Sequence, residues 1–76
     1  GWVYFKQEKY NKALEVLTEA NKVNPEEGII LEHLGDVHVA LGNIPEGLRY
    51  YKDALKYLKD AHDKTRVEEQ IKELEP

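Results

Sequence analysis

Three histidines, His33, His38 and His62, are the side chains best suited to ligating a metal, since cysteine is absent. His33 and His38 are five residues apart, which is about 140° around a helix. They cannot share an ion as an i, i+4 pair would. His33 with Asp36, or Glu32 with Asp36, makes only half a site. His38 therefore reads as a packing residue between two helices, and His33 and His62 read as solvent-exposed. Acids are plentiful, and a carboxylate pair can act as acid and base. Such a pair needs a pocket that drives the two pKa values apart. Glu26, Glu27, Glu32 and Asp36 read instead as helix-start and solvated-face residues, as do Glu68, Glu69, Glu73 and Glu75 around Lys72. Serine is absent as well as cysteine, so neither hydrolytic nucleophile is available. The glycines at 1, 28, 35, 42 and 47 are dispersed and form no phosphate loop. No catalytic residue, no metal and no cofactor is expected, and the chain does not read as an enzyme.

Composition points the same way. Seventy-six residues allow one domain, and 41% hydrophobic against 34% charged residues suits a helical domain or repeat. A chain this short buries only about 60% of its unfolded surface, so its stability is expected to be marginal. Net charge is −4, and Arg49 and Arg66 are the two arginines. No basic stripe is present to neutralise phosphates, so nucleic acid is not an expected partner. No apolar run approaches the roughly 20 residues that span a bilayer, so membrane insertion is not expected either. With no methionine anywhere, the chain is expected to be a piece of something longer.

Whatever the side chains do, helices must position them. Ala13, Leu17 and Ala20 fall at i, i+4, i+7. Ile30, Leu34, Val37 and Leu41 repeat that spacing, Leu48, Tyr51, Leu55 and Leu58 continue the helical rule at i, i+3, i+7, i+10, and Val67, Ile71 and Leu74 close it. No stretch alternates with period two. Asn24-Pro25-Glu26-Glu27 predicts a helix start, with Asn24 as N-cap and Pro25 in the first helical position. Leu41-Gly42-Asn43-Ile44-Pro45-Glu46 predicts a second break, with Gly42 left-handed and Asn43 capping the next helix. A weaker break is read at 7–10. Leu58 and Val67 lie on opposite faces of any continuous helix, which predicts a turn near 60–64 and a capping box Thr65-x-x-Glu68. Five helices follow, at about 1–8, 11–23, 25–41, 44–59 and 65–74.

The chain also repeats itself. At an offset of 34, Gly1 meets Gly35, Val3 meets Val37, Leu14 meets Leu48, Ala20 meets Ala54 and Lys22 meets Lys56. Tyr10 meets Ile44 and Leu17 meets Tyr51, alike in bulk. Leu31-x₂-Leu34-Gly35-x₂-His38, then Gly47-x₃-Tyr51 and Ala54, together with Ala13-x₃-Leu17, Ala20 and Pro25 in the preceding unit, resemble the tetratricopeptide repeat. Leu31 and His38 stand for the family's tryptophan and tyrosine, and Lys59 stands where its proline would be. The resemblance covers about residues 1–59.

That resemblance implies an all-α fold, an α-solenoid of antiparallel helix pairs in 34-residue repeats with a C-terminal closing helix. It divides a single domain into a truncated first repeat (1–24), a second repeat (25–59) and a closing helix (60–76). It implies a protein–protein interaction module, a fragment of a longer scaffold that takes a peptide or partner helix in a concave groove. The matching groove positions are Trp2, Phe5, Lys6, Ile29, Glu32, His33, Asp36, Val39 and Ala40. Glu32 and Asp36 there favour a partner with lysine or arginine beside an apolar anchor. Two other readings stay open: repeats that only cap an array, and an accessory domain of a larger enzyme. Trp2 and Phe5 either line the groove or pack on a preceding repeat. Left uncovered, they predict self-association through the N-terminal stub. Gly47 would weaken a helix interior by about 1 kcal/mol against alanine, which predicts a close helix approach at that point.

Overall fold

The computed structural model describes the backbone of residues 2–75 and the side chains of residues 9–75. Four helices follow one another: α1 (Trp2–Val23), α2 (Gly28–Ala40), α3 (Ile44–Tyr57) and α4 (Ala61–Leu74). No strand occurs among the described residues, and the fold is all-α.

The first difference from the sequence reading is in α1. The segments read as helices at 1–8 and 11–23 join into one helix of 22 residues. Nothing between Gln7 and Tyr10 breaks it. Neither glycine nor proline is present, and the Glu8…Lys12 spacing supports a continuous helix. The second difference is the start of α2. Pro25 does not open the helix but occupies a turn, in which the Asn24 carbonyl accepts from the Glu27 N–H at 3.2 Å. Proline fits the second position of such a turn, and the residue before it resists helical geometry. Glu27 becomes the N-cap, with no side-chain cap bond. Gly28 then begins the helix where a Cβ would stand 2.9 Å from the Leu58 backbone and side chain.

The turn between α2 and α3 forms as expected. Gly42 adopts φ +87°. Its N–H donates to the Val39 carbonyl at 3.0 Å, and Asn43 N–H donates to the His38 carbonyl at 2.8 Å. These two bonds make a Schellman C-cap. Asn43 is the N-cap of α3 and Pro45 lies in its first turn, although the Asn43 side chain makes no capping bond.

Helices α2 and α3 form the most extensive joint. Their contacts run in opposite order: Gly28 meets Leu58, Gly35 meets Tyr51, and Val39 meets Gly47. A Cβ on Gly35 would lie 2.6 Å from the Tyr51 ring, and one on Gly47 would lie 2.5 Å from Val39 Cγ2. Gly47 thus serves the close approach that its helix-breaking cost implies. His38 is half-buried and stacks on Tyr50 of α3, with ring centroids 5.3 Å apart and planes at 9°. His33 and His62 are exposed.

The last break comes earlier than 60–64. Leu58, Lys59 and Asp60 are non-helical, and Asp60 caps α4 by accepting from the His62 N–H at 2.7 Å. Thr65 and Glu68 therefore lie inside α4 rather than opening it. The demand behind the expected turn is met: Leu58 and Val67 are both buried, and both join the core of Leu31, Tyr51 and Ala54. Asp60 answers that demand without glycine or proline. Tyr57 ends α3 on the exposed side. No described side chain of α1, from Lys9 to Val23, is buried.

Candidate functional site

On α2, the spacing i, i+4, i+7, i+11 carries Ile29, His33, Asp36 and Ala40 along one stripe. Ile29, His33 and Ala40 are exposed and Asp36 is half-buried. The neighbouring stripe holds Glu32 and Val39, and the structure employs both of them within the fold. Val39 wedges against Gly47. Glu32 is only 5% exposed. Its two carboxylate oxygens accept from Arg66 of α4, at 2.8 Å from Nε and 2.7 Å from Nη2. Arg66 also meets Asp63 at 2.9 Å. The hydrogen bond to Glu32 is the largest influence holding the Arg66 guanidinium above its ordinary pKa, against a smaller opposing effect of burial. Glu32 is thus not an open anionic wall. Its charge is met within the chain by a residue 34 positions on, which is the repeat spacing itself. That spacing is the signal by which Arg66 was findable.

Asp36 remains accessible. One carboxylate oxygen accepts from the Tyr51 hydroxyl. The other lies 3.9 Å from His33 Nδ1. Burial, and then the bond to Asp36, pushes the Tyr51 hydroxyl well above its usual range, so it stays a donor. Trp2, Phe5 and Lys6 belong to the backbone of α1, and their side chains lie outside the described residues.

Beside the α2 stripe, an open trough runs between α1 and α2. Ala13, Val16, Leu17 and Val37 make its apolar floor, and Lys12, His33 and Asp36 stand on its rim. Val16 is 66% exposed there. Helical spacing groups Ala13 with Leu17 and Ala20 and leaves Val16 out. The repeat holds the missing signal: at an offset of 34, Ala13, Val16 and Leu17 match Gly47, Tyr50 and Tyr51, the surface on which α2 packs.

Among the described residues, no three histidine or acidic side chains are grouped to hold a metal ion. No described helix is long and apolar enough to cross a membrane.

No family model matches the chain, and no solved structure matches it. A stretch of 45 residues is 40% identical to a protein of Oryza sativa subsp. japonica described as U-box domain-containing protein 70. That stretch is 59% of this chain and 6% of that protein, so the likeness spans a small part of the longer relative.

Proposed function

We propose that the chain is a protein–protein interaction module of tetratricopeptide type, binding a peptide or helix alongside α2. The trough between α1 and α2 carries this reading: apolar, open, and rimmed by one accessible carboxylate, Asp36. Three features support the repeat architecture. The contacts between α2 and α3 run in opposite order. Gly28 and Ala61 begin α2 and α4 at a spacing of 33 residues, within one residue of the repeat. Glu32 and Arg66 bridge the two helices at the repeat spacing. The partner favoured is a segment with an apolar anchor for Val16 and Leu17 and a lysine or arginine for Asp36. Glu32 adds nothing to that preference because Arg66 neutralises it.

A second observation bears on the ends of such a stack. One repeat on from Leu31, Gly35 and Val39, which pack α2, α4 presents Thr65, Glu69 and Glu73, all exposed. A helix so charged offers no apolar seat to another, and α4 acts as a closing helix. Capping and binding are compatible, since they use different faces.

Peptide display on the immobilised chain tests the binding reading. Enriched sequences are expected to join an aromatic or aliphatic anchor to a basic residue and to lose binding to Val16→Asp. Binders insensitive to Val16→Asp, or enriched in acids, would refute it.

A further inference from the structure

The trough has a natural occupant in the chain's own sequence. At an offset of 34, Val3 matches Val37, Tyr4 matches His38 and Phe5 matches Val39. The residues that receive α2 on α3, Gly47, Tyr50 and Tyr51, match Ala13, Val16 and Leu17 on the trough floor. In the α2–α3 joint, Val39 sits on Gly47 and His38 stacks on Tyr50. The equivalent joint would set Phe5 on Ala13 and Tyr4 on Val16. One chain cannot make it. Residues 5 and 13 belong to the same helix, α1, and lie about 12 Å apart along its axis.

We propose that a second copy of this chain fills the trough with its residues 2–8, giving a two-fold dimer in which each copy seats the other's N-terminal turns. This rests on the trough being a protein-binding surface, as argued above, and names its partner. Geometry favours the exchange. Helix α1 has 22 residues and α2 has 13, and the connecting turn joins their other ends, so the first turns of α1 project past Ala40. They carry Trp2, Val3, Tyr4 and Phe5. The segment carries Lys6 and Glu8, and the trough rim carries Asp36 and Lys12, so each charge has an opposite one available across the joint. Area is sufficient. Two seated aromatics per segment, Tyr4 and Phe5, bury roughly 150–250 Å² each, and two symmetric seats, counted on both partners, total on the order of 1,600 Å², the size of a standard stable interface. A closed two-fold arrangement satisfies both troughs and leaves no open end.

Cross-linking and sedimentation test the proposal together. The chain has no native cysteine, so Phe5→Cys with Ala13→Cys reports one pairing alone. Two cysteines that far apart on one helix cannot bridge within a chain. Oxidation is expected to give a covalent dimer whose bridge joins position 5 of one copy to position 13 of the other. A monomer with an internal bridge would mean that α1 folds back on itself, and the exchange would be wrong. By sedimentation, the wild type is expected to be a dimer at roughly 100 µM, where a micromolar Kd leaves little monomer. Val16→Glu and Phe5→Glu should each weaken association at least about tenfold while keeping their helical circular dichroism. An equimolar mixture of the two should regain part of it, because Val16→Glu retains an intact segment and Phe5→Glu an intact trough. A monomeric wild type, or a dimer that survives Val16→Glu, overturns the proposal. If the wild type is monomeric yet displayed peptides still bind in a Val16-dependent way, the interaction module stands and only its partner was misassigned.

Discussion

Tyr51 is the side chain that ties the core to the open face. Its ring lies against Gly35 while its hydroxyl donates to Asp36. The folded chain holds that hydroxyl's pKa above the ordinary value near 10, chiefly through burial. The unfolded chain therefore releases the proton first as pH rises. The stability contributed by Tyr51 is complete below about pH 10 and declines above it. Tyr51→Phe should lower stability by about 1 kcal/mol at neutral pH, the scale of one lost hydrogen bond. It should also flatten the alkaline limb of a urea-melt series taken from pH 8 to 11. An unchanged limb would show that lysine titration, not Tyr51, governs alkaline unfolding. Glu32 makes a second case at this scale. Arg66→Leu strands a buried carboxylate, whereas Glu32→Leu with Arg66→Leu removes the charge along with its partner. The single variant should therefore melt several degrees below the double. The reverse order would mean that Glu32 hydrates readily without Arg66.

Elements in this chain meet through glycine. Gly35 and Gly47 let α2 and α3 approach so closely that either Cβ would fall within 2.6 Å of a neighbouring side chain. Alanine at either site gains about 1 kcal/mol of helix propensity and loses about 1–3 kcal/mol to overpacking. The Tyr51 ring, held by Asp36, has little room to give way. Gly35→Ala is therefore expected to lower Tm by thermal circular dichroism; a raised Tm would show that the joint is slack. Helix α4 supplies a cleaner contrast. Asp60 accepts the His62 N–H, and Thr65 lies in the helix interior. Asp60→Ala should destabilise by about 1 kcal/mol and Thr65→Ala by clearly less. Equal losses would restore Thr65 as the cap.

Across the whole molecule, coverage is uneven. The core around Leu31, Tyr51, Ala54, Leu58 and Val67 joins α2, α3 and α4, whereas α1 buries none of its described side chains. Unfolding is expected to start at α1, because local stability follows apolar contact. Hydrogen exchange should show the amides of 11–22 exchanging faster than those of 48–57 in the monomeric Val16→Glu variant. Uniform protection would mean that the four helices unfold as one unit. In the wild type, protection of 11–22 should rise with concentration as the trough is filled.

Much of this was legible in the residues themselves. Helical periodicity, the Gly42 turn, the packing of His38 between two helices and the close approach at Gly47 all follow from local spacing and from what glycine permits. The 34-residue offset also held the clue to Arg66 and to the trough. Three features needed the folded chain. Whether α1 bends at 7–10 depends on what its two halves can bury, and no glycine or proline settles that locally. Whether Asp60 or Thr65 caps α4 depends on how soon Leu58 must leave α3 to pack on Gly28, which is a contact between distant residues. Glu32 looks like a solvated acid in sequence because its neighbours are polar. Its burial is decided by α4 arriving one repeat later and laying Arg66 across it.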